Sequence, residues 1–244
     1  MSVSKFPGST TALISGTIHV MSDRVNPRPS EQTRRYDSPV RRERAVETER
    51  RILTAAATAF AETGYVGTSL AAIADAAGVN ARTVYKVFGT KVRLLSRLVD
   101  VSMVGDQEAV PVAGRSWALD AFSAETGAER VTTFAGAIRR VMESAGGVFR
   151  TAAQAAVADP EAAALWRVGQ DRRQQDATAF VAALHDASHL RSDQTPDEAT
   201  ASVWLLTSPE TYLQLTDGLA WNPDQYEQWL RRSMCDQLLG HDAV

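Results

Sequence analysis

Residues 70–91 read LAAIADAAGVNARTVYKVFGTK, two short helical patterns parted by one glycine. Two helices that cross steeply need a tight turn and a close approach. With Leu70 as the first position, Ile73 and Ala77 stand fourth and eighth, apolar and spaced to face inward. Ala74, the fifth, is small enough to let the second helix come near. Gly78, the ninth, can take the positive φ that such a turn requires. Val79, Val84 and Val87 stand tenth, fifteenth and eighteenth, and all three are apolar, as packing between the two helices asks. Every constrained position is met, so a helix-turn-helix is expected over about residues 69–88.

The flanks extend the helical reading. From Glu43 onward, Ile52, Leu53, Ala56, Ala59 and Phe60 recur at helical spacing up to Gly64 and Tyr65. Gly64 is the expected left-handed cap. Thr68 or Ser69 can cap the free amides of the next helix, and Asn80 those of the helix over 81–88. Thr90 can cap a fourth helix. That helix carries Val92, Leu95, Val99 and Ser102 on one side, with Leu94, Leu98 and Val101 beside them.

Composition agrees. Apolar residues make up 44% of the 244, enough for a sizeable core, and alanine dominates among them. That favours helices over sheets. The single cysteine, Cys235, excludes a disulfide framework within the chain. No apolar run approaches the ~18–20 residues of a membrane span. The stretch 10–21 is short, contains Gly16 and His19, and does not read as a signal peptide. The cytoplasm is the expected location, with association to the nucleoid when bound to DNA.

Net charge is −3, but its distribution matters more. Residues 1–104 hold 15 basic against 9 acidic groups, a surplus of six. Residues 105–244 hold 11 against 20, a deficit of nine. A basic front on an acidic rear suits a chain whose front alone meets a polyanion.

Residues 1–43 contain Pro27, Pro29 and Pro39 and no helical apolar period, so a disordered arm is expected. It carries Arg24, Arg28, Arg34, Arg35, Arg41 and Arg42. Such an arm can reach a phosphate track or a minor groove, or merely keep the chain in solution. Met21 offers a second possible start.

Behind a head at 44–104, residues 105–244 read as a helical body. A short helix is expected at 117–122, then a stripe formed by Val131, Phe134, Ile138, Val141 and Ala145. Gly146-Gly147 is expected to part that helix from another at 148–158. Asp159-Pro160 opens a helix running to about residue 187. After a polar linker at 192–196, a helix over 196–217 is interrupted at Pro209. Asn222-Pro223 opens the last, with Tyr226, Trp229, Leu230, Met234 and Leu238 on one face. The expectation is an all-α fold of about nine main helices: a three-helix helix-turn-helix domain and a larger helical body.

The string RRILTAAATAFAETGYVGTSLAAIADAAGVNARTVYKVFGTKVRLL also resembles the DNA-binding head of TetR-type transcriptional regulators, the TetR/AcrR family. Ile52-Leu53, Ala56, Phe60, Gly64-Tyr65, Thr68-Ser69, Ile73-Ala74, Ala77-Gly78-Val79, Thr83-Val84-Tyr85, Phe88, Lys91 and Leu94-Leu95 carry the resemblance. The body fits the family only in length and helical character, and 204–221 is weakly similar to the body of actinobacterial members.

The resemblance implies that the helix over 81–88 lies in the major groove of double-stranded DNA, its first residues at base edges. Those are Ala81, Arg82 and Thr83, with Lys86 one turn on. Arg82 suits a two-pronged contact to guanine, and Ala81 a thymine methyl. Thr83 and Tyr85 can bond phosphate. Asn80, and Thr68 or Ser69, sit at helix starts, where backbone amides also meet phosphate. Lys91 is expected to add a phosphate charge. The family usually has His or Tyr where this chain has Val87, so a polar contact is absent there.

The family further implies a repressor that leaves a palindromic operator when a small effector binds its body, and a homodimer joined through its last two helices. Half-sites then lie about 34–36 Å apart, or a multiple. Trp117, Phe134, Ile138, Met142, Phe149, Trp166, Gln170 and Trp204 are the candidate pocket residues. Ordinary core packing explains them equally. Few charges look buried, which favours an apolar or aromatic effector. No cofactor and no membrane partner are expected.

An enzyme is disfavoured. His185 and His189 stand four apart, a spacing that two metal ligands can use. They lie in HDASH, without the glutamate of a metalloprotease motif. Cys235 has no base near it in sequence. The alternative to a repressor is a helical sensor or scaffold dimer that activates or no longer binds DNA. The presence of Arg82, Lys86 and Lys91 argues against the loss of DNA binding.

Overall fold

The computed structural model describes residues 39–104 and 116–240. Among them the fold is all-α, with ten helices and no strand beyond one isolated bridge between Leu190 and Leu239. In chain order these are α1 (Pro39–Gly67), α2 (Leu70–Ala77), α3 (Ala81–Phe88), α4 (Lys91–Val104), α5 (Ser116–Ser123), α6 (Gly127–Ala158), α7 (Pro160–Asp186), α8 (Pro196–Leu206), α9 (Pro209–Leu213) and α10 (Pro223–Leu238). A π-helical turn, Gln214–Gly218, follows α9. No helix among the described residues is long and apolar enough to cross a membrane.

Two apolar cores divide the molecule. The head core gathers Ile52, Ala56 and Phe60 of α1, Ile73 and Ala77 of α2, Val84 and Phe88 of α3, and Leu94, Leu95 and Leu98 of α4. Ala155 of α6 and Ala162 of α7 join it. The body core gathers Val131, Phe134 and Phe149 of α6, Phe180 and Leu184 of α7, Val203 of α8, and Tyr226, Leu230 and Met234 of α10. Each large apolar side chain, once buried, contributes about 1.5–3 kcal/mol. Helix α4 belongs to both cores: Leu94 and Leu98 pack in the head, while Val99 and Met103 lie against the body.

The local start signals act as written. Ser69 Oγ accepts from Ala72 N, Asn80 Oδ1 from Arg82 N, and Thr90 Oγ1 from Arg93 N. Asp159 Oδ1 caps α7, accepting from Glu161 N at 2.9 Å. Asn222 and Gln225 cap each other's backbone at α10, as Thr126 and Glu129 do at α6.

Several boundaries differ from expectation. Helix α1 begins at Pro39, so residues 39–43, expected in the arm, are helical; the rest of the arm lies outside the described residues. Gly64 does not end α1 with a left-handed cap. Its φ of 69° and ψ of 175° kink the chain, which regains a helical turn to Gly67. That backbone region is essentially glycine-only.

Gly146-Gly147 does not divide the body helix either. Helix α6 runs unbroken for 32 residues. A helical glycine costs about 1 kcal/mol against alanine, less than burial of Met142, Ala145 and Phe149 around it returns. Gly146 has its own reason: a Cβ there would stand 3.0 Å from the Tyr212 ring. The glycine lets α9 come close. The count of ten rather than nine follows: two expected helices fuse in α6, the short α5 is a full element, and Pro209 splits the 196–217 segment.

Candidate nucleic-acid interface

Helix α3 buries Val84 and Phe88 and turns Arg82, Tyr85 and Lys86 to solvent. Tyr85 is 55% exposed, so it is not core. Ala81 and Thr83 are half-buried at the first turn. Asn80 is held as the cap, with its side-chain oxygen 2.8 Å from Arg82 N. The start of α3 is thereby fixed, and Arg82 is presented from an ordered turn.

Val87 breaks the packing expected of it. It is 48% exposed, while Phe88 takes the inward position. Val84 and Phe88 are four apart and share a face; Val87 lies about a sixth of a turn to the other side. An apolar side chain therefore stands on the outer surface of α3.

The turn between α2 and α3 is made as expected. Gly78 has φ 63° and ψ 39°, the left-handed region. A Cβ there would also fall 2.8 Å from the Arg51 guanidinium. Arg51 reaches from α1 to bond the carbonyls of Ala77 and Gly78, filling the open end of α2. Sequence reasoning misses Arg51, because a contact 27 residues away leaves no local signal.

Two residues expected at phosphate, Thr68 and Lys91, make hydrogen bonds inside the head. Thr68 is only 4% exposed, and its hydroxyl bonds Gly64 O at 2.7 Å, with Thr63 Oγ1 at 2.8 Å. The cap of α2 is Ser69 alone. Lys91 is equally engaged. Its Nζ donates to Tyr65 O at 2.7 Å and Thr68 O at 2.9 Å, and lies 4.2 Å from the Tyr65 ring centroid. Burial draws its pKa below the usual lysine value. Lys91 ties the start of α4 to the α1–α2 turn. Of the residues expected at DNA, Ser69, Asn80, Arg82, Tyr85 and Lys86 are exposed, and Ala81 and Thr83 are half-buried.

Residues 52–98, which hold all of these, match the family model of bacterial regulatory proteins, tetR family. The head is of the TetR family. No curated protein matches the chain. Solved structures share its fold at low identity. A Mesorhizobium loti protein described as a TetR-family transcriptional regulator has a TM-score of 0.56 at 20% identity, over 78% of this chain and 95% of its own. NalD, the secondary repressor of the MexAB-OprM multidrug efflux pump in Pseudomonas aeruginosa, reaches 0.60 at 20% identity, over 81% and 99%. A Saccharomonospora viridis protein described as a transcriptional regulator, solved with choline, reaches 0.62 at 18% identity, over 80% and 100%. These fold relatives are described as transcriptional regulators or, for NalD, a repressor.

The TetR-type head meets the body through a small polar knot. Tyr65, stacked on Phe60, donates from Oη to Asp159 Oδ2 at 2.9 Å. Asp159 closes α6 through its backbone N–H and caps α7 through its carboxylate, so one residue joins the kink of α1 to two body helices. The Tyr65 hydrogen bond, the capped amides and the Lys91 charge hold that carboxyl below its usual pKa. Burial, with Asp159 beside it, pushes the Tyr65 phenol up. A cavity of about 120 Å³ lies at the same seam, between Ala57, Phe60 and Ala61 of α1, Leu98 of α4 and Ser144, Gly147, Val148 and Thr151 of α6.

In the body, the expected pocket residues are mostly packed. Phe134, Met142 and Phe149 are core, with Phe134 stacked on Phe180 at 4.0 Å. Ile138, Trp166 and Trp204 are half-buried against them. The Trp117 side chain lies outside the described residues. Gln170 is half-buried and accepts from Arg173. The expectation of few buried charges overlooks Arg173, which α7 holds half-buried against α8.

His189 Nε2 lies 3.0 Å from Glu125 O, and His185 pairs at 3.7 Å with exposed Asp186. Burial raises the Cys235 thiol pKa, which disfavours the reactive thiolate.

Proposed function

We propose that this chain is a sequence-specific DNA-binding transcriptional regulator that represses from a palindromic operator and is released by a small effector held in its body. The observation that carries the reading is α3: Val84 and Phe88 anchor it, Asn80 fixes its start, and Arg82, Tyr85 and Lys86 project outward from one rigid turn. Arg82 and Lys86 supply cations, and Arg82 the forked donor set for guanine. Phosphate contacts from Ser69, Tyr85 and the backbone set register.

The body reading is supported by the fold relatives, one of which holds the small organic cation choline. The head core reaches Ala155 and Ala162. A shift of α6 or α7 on binding an effector therefore moves the ground on which the head sits, and the two states differ in DNA affinity.

A homodimer presents two heads to the two half-sites. The apolar face of α10 is spent within the chain, since Tyr226, Leu230, Met234 and Leu238 are fully buried. Exposed apolar side chains that a second copy could cover include Leu165 and Val168 on α7, Leu205 on α8 and Leu219 after the π-helical turn.

The test is to sequence DNA selected from a random pool by the purified protein, then titrate the winner in mobility-shift assays at several salt concentrations. A palindromic consensus and a steep salt slope are expected. Recovery of no consensus would overturn the reading.

A further inference from the structure

The cavity at the head–body seam lies where α1 and α4 of the head meet α6 of the body. Its volume is about 120 Å³. Protein interiors are packed like organic crystals, and voids larger than a water molecule are few in any domain. The room here comes from small residues. Ala57 and Ala61 stand four apart on α1 and so share one of its faces. Helix α6 contributes Gly147, where a Cβ would meet nothing within 4 Å. Phe60, Leu98 and Val148 add apolar wall.

The lining selects its guest. Among the described residues that form it, none carries a charge. Its two hydroxyls have spent their hydrogens on backbone carbonyls. Ser144 Oγ donates to Ser102 O at 2.7 Å, and Thr151 Oγ1 to Gly147 O at 3.2 Å. A hydroxyl so used has only a lone pair left to offer. A charged guest would give up its water and meet no counter-charge, which costs more than burial of its apolar part returns. A water asks for about two to four polar partners, whereas a cavity of ~150 Å³ walled by Leu, Ile and Phe takes up benzene. The seam cavity is of that order. Ala61, Ser144 and Gly147 are exposed, so it has a mouth through which a ring can enter.

A guest there touches both sides of the seam. The Ser144 bond to Ser102 O joins α6 to α4, and α4 packs in both cores.

We propose that this cavity binds a small uncharged molecule the size of one aromatic ring, a phenol or an alkylbenzene, and that the guest braces the head against the body. Among the described residues, none of the pocket candidates expected from the sequence lines it. Any effect of the guest on DNA rests on the regulator reading above; its binding does not.

The experiment titrates the full chain, without DNA, with toluene, phenol, benzoate and benzylammonium. Methyl NMR shifts locate the guest, the thermal midpoint and the shifts read affinity, and amide exchange reads the brace. Toluene or phenol saturates, raises Tm, and moves the methyl signals of Ala57, Leu98 and Val148 more than those of Val203 in the body core. Amide exchange in α1 and α4 slows. Benzoate and benzylammonium bind at least about tenfold more weakly. Ala57→Leu fills the room, and Ala61→Leu narrows the mouth; each weakens the neutral guest at least about tenfold. Ala61 is exposed on its helix, so its variant keeps the Tm of the free protein. That separates blocking from misfolding.

The proposal is overturned by no binding of toluene or phenol, by shifts centred on Val203, or by equal binding of the charged rings. Unchanged binding in both variants also overturns it, and unchanged exchange with the guest bound removes the brace. A mobility-shift assay run in parallel keeps the two readings apart. A guest at the seam without any DNA binding would defeat the regulator reading and leave this site standing. DNA binding without a guest at the seam would do the reverse.

Discussion

Tyr65 and Asp159, 94 residues apart, meet through a 2.9 Å hydrogen bond that joins the kink of α1 to the junction of α6 and α7. Tyr65 is also the ring beneath the Lys91 ammonium, so one side chain belongs to both the head core and the head–body seam. Tyr65→Phe keeps the ring and removes the bond. The Asp159 carboxyl is held low chiefly by that bond, so its pKa is expected to rise in the variant, as a carbon-detected NMR titration would read. The sign of the stability effect follows. A lowered carboxyl contributes above its unfolded value and loses that contribution as pH falls through the folded one. The Tm gap between wild type and Tyr65→Phe is therefore present at neutral pH and closes in acid, below the usual carboxylate range. A gap unchanged at low pH would refute the assignment.

Adjacent glycines in α6 should respond in opposite directions. At Gly147 a Cβ meets nothing within 4 Å, so Gly147→Ala is expected to stabilise by about 0.5–1 kcal/mol, by reducing backbone freedom in the unfolded chain. At Gly146 the same atom meets Tyr212 at 3.0 Å, and Gly146→Ala is expected to destabilise by pushing α9 outward. Denaturant midpoints of the two variants decide it; the same sign for both would show that the fit at Tyr212 is not tight.

Arg82 and Lys91 should separate recognition from stability. Arg82→Ala leaves folding alone, relaxes base preference, and costs about 1–3 kcal/mol in binding the preferred sequence. Lys91→Ala strands the Tyr65 and Thr68 carbonyls, so it lowers Tm, with a cost of about 1–3 kcal/mol. The slope of log affinity against log salt is expected to stay as in wild type. A shallower slope with an unchanged Tm would return Lys91 to the phosphate contacts.

Thr68 and Ser69 should differ in kind. Thr68→Val keeps the shape but leaves the part-buried Gly64 carbonyl unbonded by it, at a cost of about 1–3 kcal/mol. Ser69→Ala removes the α2 cap, at about 0.5–2 kcal/mol, together with any contact to phosphate. Only Ser69→Ala is therefore expected to weaken DNA binding in the folded protein, which a mobility shift at a temperature well below both midpoints would show.

Much of the head is legible in the sequence alone. Gly78, Ser69, Asn80 and Thr90 act within four residues of themselves, and caps and left-handed turns are local chemistry. Asp159-Pro160 and Asn222-Pro223 mark helix starts for the same reason. Sequence reasoning fails where a distant partner decides. Gly146-Gly147 looks like a break, since local propensity disfavours glycine in a helix. Tyr212, over 60 residues on, is what makes Gly146 fit. Val87 and Phe88 compete for one inward place, and the direction from which α2 and α4 cover α3 settles it. Lys91 reads as any cation at a helix start; the carbonyls of Tyr65 and Thr68 around it give it a different role.

The sequence by itself determined the all-helical character, the helix-turn-helix and the exposed cations of α3. Periodicity, caps and glycine conformations are properties of short segments, and they hold wherever those segments lie. Only the tertiary structure decided which polar groups are spent holding the molecule together. It ties Thr68 and Lys91 to carbonyls of the α1–α2 turn, and it stacks Arg173 over Trp204 between two body helices. Burial and donor satisfaction depend on neighbours that the linear chain does not name.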